Sequence, residues 1–299
     1  MQWGLALSGG ALRGAAHVGV LSVLEEHNLR PSYVAGASAG SLVAALHALG
    51  VSTKRMEELL GGLSAKKLYD LNIGLGTLGN LLVNGVLGLL GLSEDKRLPL
   101  PTGLLKGDKL MNWIHELVGQ RRFCDTRIPL AVMAADINSG EAVCYHSPGF
   151  RLSRARLSRK TDFRENVSIA LALRASTAIP GVFTPVEIDG RMVVDGGVVD
   201  FLPSEVLRAM GAQRVLAVDL GYSGQQRKRL DNAAKIAAQA VDIMAREVTK
   251  FKGIKQADYC LNPGIYDVGL TDFAKIPECV ERGRRAALAA LPKILELIG

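Results

Sequence analysis

The sequence predicts an α/β fold of three layers, α/β/α, with helices on both faces of a mostly parallel central sheet. Three observations carry that expectation. Two short apolar runs near the start, Gln2–Leu7 and Tyr33–Ala35, each lead through a small-residue turn into a stretch with helical spacing. Strands buried on both faces read as continuous apolar runs, and parallel neighbours need a helical crossover between them. The third observation is size and composition. The 299 residues, 48% hydrophobic and without internal repeats, suffice for one large core, so residues 1–299 read as a single domain.

The first strand, Gln2–Leu7, runs into Ser8-Gly9-Gly10-Ala11-Leu12-Arg13-Gly14. Ala15–Asn28 follows, with Val18, Leu21 and Leu24 at helical spacing. A glycine-rich turn at the head of a helix leaves backbone N–H groups at the positive end of the helix dipole, where an anion binds. Two uses fit: a bound phosphate, or the oxyanion of a tetrahedral acyl-transfer intermediate. No Gly-Lys-Ser/Thr follows, so the turn is not a P-loop. No acidic residue closes the next strand, so it is only a distorted relative of the dinucleotide fingerprint. Arg13, inside the turn, either stabilises it or faces an anionic substrate.

Pro31 ends the first helix, and Tyr33–Ala35 enters Gly36-Ala37-Ser38-Ala39-Gly40 before the helical pattern Ser41–Leu49. The G-x-S-x-G pattern places a serine hydroxyl on a sharp strand-to-helix elbow, with glycines where side chains would collide. Taken alone, the same letters also describe an ordinary Gly/Ser turn. In a parallel sheet both turns lie at the carboxyl ends of their strands, the edge at which such folds bind ligands. The glycine turn and Ser38 therefore face one crevice.

Val51–Leu63 reads as a helix and Ser64–Leu71 as a shorter one. From Leu71 to Ser93 no residue is charged and leucine dominates. The length would permit a membrane span, but Asn72, Asn80, Asn84 and many glycines argue against one. A buried cap or a lid that docks on a membrane over about 72–92 remains. Lys106–Val118 is a helix, Ile128–Ala135 a buried strand, and Glu141–Tyr145 its partner through Asn138-Ser139-Gly140. Val167–Ala175 is a helix stopped by Ile179-Pro180-Gly181. Val186–Ile188 and Met192–Val194 form a hairpin through Asp189-Gly190, and the second strand delivers Asp195-Gly196-Gly197. The helix Pro203–Met210, the strand Arg214–Leu220 and two long amphipathic helices over Leu230–Phe251 and Ala274–Ile298 complete the chain.

The net charge of +7 favours anionic partners. Arg151, Arg154, Arg156, Arg159, Lys160 and Arg164 form one basic stretch, and Arg227, Lys228 and Arg229 another. Each is either a solvated surface or a contact for anionic lipid head groups. Apart from Phe163 neither is interleaved with aromatics, and no nucleic-acid motif accompanies them, which argues against nucleic acid. Cys124, Cys144, Cys260 and Cys279 form no C-x-x-C pair and fit a reducing compartment. The N-terminus has no charged leader before an apolar core, so the expected location is cytoplasmic, with peripheral membrane contact.

A nucleophilic serine needs a base within hydrogen-bond reach. An α/β-hydrolase triad runs Ser, acid, His, yet the last of the five histidines, His17, His27, His47, His115 and His146, precedes any late position. His17 and His47, close to the two turns, read as helix-face residues. An acid acting directly on Ser38 is the remaining simple option, and Asp195 at a strand end fits it, although Asp-Gly is also an ordinary turn.

Ser8–Gly14, Gly36–Gly40 and Asp195-Gly196-Gly197, in this order and spacing, resemble the patatin-like phospholipases. The segment Ala175-Ser176 through Ile179-Pro180-Gly181 and Pro185 is similar to the one before that family's aspartate. The resemblance covers roughly residues 4–220. It implies a Ser–Asp dyad with Ser38 as nucleophile and Asp195 as base, supported by Gly36, Gly40, Gly196 and Gly197. It also implies an oxyanion hole at Gly9, Gly10, Ala11, Arg13 and Gly14, and hydrolysis of phospholipid or lysophospholipid esters without metal or cofactor. Two features depart from the family pattern: Asp200 stands where Asn is frequent, and the insert at 72–92 is longer. A lipid-binding regulatory module on the same fold, or an acyl thioesterase, are the alternative readings.

Overall fold

The computed structural model describes residues 1–72, 80, 84, 101–150, 152–221, 243, 244 and 246–298. All but three residues of the insert at 72–92, Arg151, the triplet Arg227-Lys228-Arg229 and most of the helix expected over Leu230–Phe251 lie outside the described residues.

In chain order, β1 (Trp3–Leu7) leads through a 3-10 turn, Ala11–Gly14, into α1 (Ala15–Glu26), and β2 (Tyr33–Ala37) leads into α2 (Ala39–Ala48). Helices α3 (Thr53–Gly61) and α4 (Ala65–Leu68) follow, then β3 (Gly103–Leu105), α5 (Asp108–Val118), β4 (Leu130–Asp136), β5 (Ala142–His146) and β6 (Thr161–Arg164). Next come α6 (Ile169–Ser176), β7 (Gly181–Phe183) and the hairpin β8 (Val186–Ile188)–β9 (Arg191–Asp195). The chain continues with α7 (Ser204–Met210), β10 (Arg214–Val218), β11 (Tyr259–Leu261) and α8 (Ile276–Ile298). The hairpin turn follows its residues: Asp189 and Gly190 both have positive φ, 51° and 73°, as a two-residue turn of this kind requires.

The main sheet runs β11-β10-β1-β2-β4-β5-β6, with β9 joined to β4 and β8 to β9. The first five of these strands are mutually parallel, and β5 turns back antiparallel to β4. The pleat sorts side chains into two cores. Leu5, Leu7, Val34, Leu130, Val132, Val143, Tyr145, Leu216 and Val218 join the core that also holds α1, α2, α5, α6 and α8. The residues between them, Ala6, Ala35, Ala37, Ala131, Ala142, Cys144, Val215 and Ala217, join a second core with α7. Small side chains on that face let α7 lie close to the sheet, with Val199, Leu202 and Ile254 packed beside it. Both faces are thus apolar, and the expected three-layer α/β/α arrangement with a mostly parallel sheet is what the chain adopts.

The edge strands β3, β6, β7 and β11 carry too few residues for a periodic signal. Strand β6 falls inside the basic stretch, much of which is exposed, and several of its cations have partners there. Lys160 pairs with Glu141 at 2.9 Å, and Arg164 with Asp162 at 2.7 Å and Asp189 at 3.0 Å. Arg159 donates to the carbonyls of Val199 at 2.9 Å and Gly140 at 3.2 Å. Among the described residues, no helix is long and apolar enough to cross a membrane.

Candidate active site

Two turns and one strand end meet at the carboxyl edge of the parallel strands. The elbow comes first. Ser38 is a non-glycine residue at φ 50°, ψ −127°, a conformation that persists only where surrounding structure enforces it. Helix α2 starts immediately after it because Gly40 lets its first turn touch the end of β1. A Cβ on Gly40 would lie 2.3 Å from the Leu7 carbonyl oxygen, and one on Gly36 would lie 2.5 Å from Gly40 itself. The G-x-S-x-G letters are therefore a close-packing requirement here.

The aspartate arrives from the opposite direction. Strand β5 occupies one edge of β4 from Ala131 to Ala135, and β2 occupies the other from Leu130 to Met133. Strand β9, running the other way, takes the rest of that second edge, pairing Asp195 with Ala134. Since Ala37 pairs with Met133, the tips of β2 and β9 meet at consecutive residues of β4. Ser38 follows one tip and Asp195 is the other. Gly196 permits this approach, because a Cβ there would lie 2.2 Å from the Met133 carbonyl oxygen.

Asp195 is 5% exposed. Its Oδ1 accepts the Gly197 N–H at 2.7 Å, while Oδ2 has no hydrogen-bond partner among the described residues. Burial pushes its pKa up from the usual 3.8 to about 6, against the opposing pull of the Ser38 hydroxyl and the Gly197 amide. The Ser38 hydroxyl is thus close enough to favour the carboxylate, without a fully aligned hydrogen bond to Oδ2. Such contacts commonly tighten only when substrate is bound.

None of the histidines joins this pair. His17 is fully buried and pushed down to about 4 by that burial, so it is neutral, and its Nε2–H donates to the Ser8 carbonyl at 2.8 Å. His47 lies nine residues along α2 from Ser38, about 13 Å at the helical rise. His146 pairs with Ala131 toward the opposite end of β4. The sequence reading of His17 and His47 as helix residues matches these positions.

The glycine turn lies beside Ser38, and the two share one cleft. Within the turn, Gly9 N–H donates to the Phe201 carbonyl at 3.1 Å and Arg13 N–H to the Gly10 carbonyl at 3.1 Å. Of the residues expected to form an oxyanion hole, Gly9, Gly10, Ala11, Arg13 and Gly14, the amides of Gly9 and Arg13 are thus engaged in holding the turn. The amides of Gly10 and Ala11 are not engaged by either bond. The Arg13 side chain follows the first of its two readings in part, since its Nε donates to the Gly10 carbonyl at 3.2 Å. Phe201, whose carbonyl fixes Gly9, carries no signal in the sequence. Asp200, the departure from the family pattern, is buried, and its N–H donates to the Gly196 carbonyl at 2.8 Å.

From Ser38 the cleft extends between α1, α2, α3 and α5, with about 910 Å³ of empty space, part of it open to solvent. Leu42, Leu46, Met56, Trp113 and Phe183 are among its walls, and among the described residues Ser38, Tyr69 and Thr177 supply its hydroxyl groups. Among the described residues, none that lines it is charged. Such a surface suits an aliphatic chain and repels a polar head group. Among the described residues, no group of three His, Cys, Asp or Glu side chains could hold a metal ion.

The profile of the patatin-like phospholipases matches residues 5–208, from β1 through α7. The chain belongs to the patatin-like phospholipase family. It is 28% identical over 253 residues to an uncharacterised NTE family protein of Mycobacterium tuberculosis, which covers 85% of this chain and 58% of that one. The uncharacterised protein YqhO of Bacillus subtilis is 29% identical over 278 residues, covering 89% of this chain and 88% of its own. Lysophospholipase NTE1 of Mycosarcoma maydis is 28% identical over 221 residues, which are 74% of this chain and 10% of that protein. Among solved structures, VipD from Legionella pneumophila superposes with a TM-score of 0.53 at 18% identity, covering 98% of this chain and 67% of VipD. That likeness concerns the fold. This patatin-like chain spans little more than half the length of the mycobacterial relative and a small part of the fungal one.

Proposed function

We propose that the chain hydrolyses acyl esters of phospholipids or lysophospholipids, with Ser38 as nucleophile and Asp195 as general base. The observation that carries this reading is the placement of Ser38. Ser38 lines an apolar cleft, and its hydroxyl acts on the buried Asp195 carboxyl, whose Oδ2 has no hydrogen-bond partner among the described residues. Family membership supports lipid-ester hydrolysis in general, and the geometry supports the assignment of roles.

In the first half-reaction the acyl chain lies in the cleft and brings the ester carbonyl to Ser38. Asp195 Oδ2 takes the Ser38 hydroxyl proton as Oγ bonds to the carbonyl carbon. The carbonyl oxygen becomes an oxyanion, held by the amides of Gly10 and Ala11 at the head of the Ala11–Gly14 turn. The tetrahedral species collapses by breaking the bond to the alcohol, which leaves with the proton from Asp195. In the second half-reaction a water gives its proton to Asp195 and attacks the acyl-Ser38 ester. The fatty acid departs and Ser38 regains its proton. A carboxyl with a pKa of about 6 suits both directions of proton transfer near neutrality. Peripheral contact with an anionic lipid surface accords with the net charge of +7.

The test is labelling with a long-chain fluorophosphonate followed by peptide mapping. Covalent modification at Ser38, with ester hydrolysis abolished in Ser38→Ala and Asp195→Asn, is the expected result. A protein that binds lipid but neither labels nor turns over ester is the regulatory module instead.

A further inference from the structure

The short segment that links α6 to β7 touches both members of the Ser38–Asp195 pair through their backbones. Ser176 Oγ accepts the N–H of Ser38 at 2.9 Å, and two residues later the Ala178 carbonyl accepts the N–H of Asp195 at 3.0 Å. Ser176 and Ala178 are both completely buried. We infer that Ser176 is a positioning residue, whose hydroxyl holds the Ser38 elbow in register with Asp195. This inference rests on the proposed roles of those two residues.

The conformation of Ser38 makes the bond consequential. Nothing in its own helix can secure its amide, because the first N–H groups of a helix have no intrahelical acceptor. The Ser38 carbonyl is secured locally, by the Ser41 N–H at 2.9 Å and the Ser41 hydroxyl at 2.6 Å. The amide at the other end of the same residue depends on Ser176, 138 positions away. A strained φ and ψ relax when one such restraint is lost, and the Oγ direction turns with them.

The segment is itself rigid. Thr177 Oγ1 donates to the Leu173 carbonyl at 2.8 Å and closes the end of α6. One turn earlier, Arg174 donates through Nε to the Gly107 carbonyl at 3.0 Å and through one terminal nitrogen to Lys106 at 2.9 Å and Thr184 at 3.0 Å. That anchor ties α6 to the strands that carry Phe183, a wall of the cleft. One fixed segment therefore sets the spacing of the pair and stands beside the acyl wall.

The experiment measures the rate at which a fluorophosphonate modifies Ser38, with the labelled fraction read separately. Ser176→Ala removes the acceptor, and Ser176→Cys keeps the shape with a much weaker one. Ser204→Ala is the control, since Ser204 is also fully buried and its hydroxyl has no partner among the described residues. Both Ser176 variants are expected to label at least about tenfold more slowly, to the same final extent, with KM for a short ester unchanged. Ser204→Ala is expected to label at the wild-type rate. Wild-type labelling rates in Ser176→Cys, or a loss of labelled fraction with no loss of rate, would overturn the positioning role. Failure of the wild-type protein to label at Ser38 would instead reject the underlying nucleophile assignment.

Discussion

Ser38 and Asp195 stand at the facing tips of two strands that run toward each other along one edge of β4, meeting where Met133 gives way to Ala134. The two residues are 157 apart in sequence. Their proximity is a property of strand registry, so it is fixed by backbone pairing and not by the side chains themselves. Four predictions follow from how that pair and its surroundings are built.

Activity should fall on the acid side with an apparent pKa of about 6, because burial raises Asp195 and only its carboxylate can accept the Ser38 proton. A profile of kcat/KM for a neutral short-chain ester between pH 4 and 9 measures this. An acid limb near the ordinary aspartate value would mean that another group is the base.

Asp195→Asn should inactivate the protein and stabilise it. The folded-state pKa of about 6 lies above the usual 3.8, so this carboxyl's contribution is complete below pH 3.8 and is lost as pH rises through 6. The difference corresponds to about 3 kcal/mol. An asparagine can still accept the Gly197 N–H and carries no buried charge. Urea unfolding at pH 8 should show the variant more stable than wild type, with the gap closing by pH 4.

His17 acts in the opposite sense. Its folded pKa of about 4 lies below the usual 6.5, so its contribution is present above pH 6.5 and is lost as pH falls through 4, again about 3 kcal/mol in all. His17→Gln keeps an N–H donor for the Ser8 carbonyl and removes the titration. The dependence of stability on pH between 6.5 and 4 should become shallower in this variant. An unchanged slope would show that His17 is not the group responsible.

The cleft should set an acyl-length preference along α2. Ser38, Leu42 and Leu46 lie on one face of that helix and all line the cleft, and eight residues at the helical rise span about 12 Å. An extended chain advances roughly 1.3 Å per carbon from its bonds of about 1.5 Å, so Leu46 lies roughly nine carbons from the ester. Leu46→Trp should leave butanoyl ester hydrolysis near wild type and reduce kcat/KM on dodecanoyl esters by about tenfold or more, through overpacking of the deep end. Equal losses on both esters would remove α2 as the measure of chain length.

The parts legible in the sequence were those whose signal is local. The two turns could be read because Ser8–Gly14 and Gly36–Gly40 each couple an apolar strand to a helix within a dozen residues. The Asp189-Gly190 hairpin and its delivery of Asp195 were equally local, since two positive φ values in succession demand such residues. Strand β6 was illegible because four residues at the end of a basic, largely exposed stretch carry no period, and the pairing of Arg164 with Asp189 comes from a distant turn. The engagement of the Gly9 amide by Phe201, and of the Ser38 amide by Ser176, left no pattern to read at all.

By itself, then, the sequence determined the class of fold, the two turns and the absence of a late histidine, because periodicity, glycine placement and residue order are one-dimensional properties. Tertiary structure alone decided how Ser38 and Asp195 are brought to neighbouring registers, which acceptors hold the Gly9 and Ser38 amides, and how far the apolar cleft reaches. Those depend on β4 bringing two strand tips to neighbouring registers, and on acceptors supplied from segments far away in the chain. A buried carboxyl titrating near 6 is the energetic trace of that assembly, since only the folded chain removes Asp195 from water.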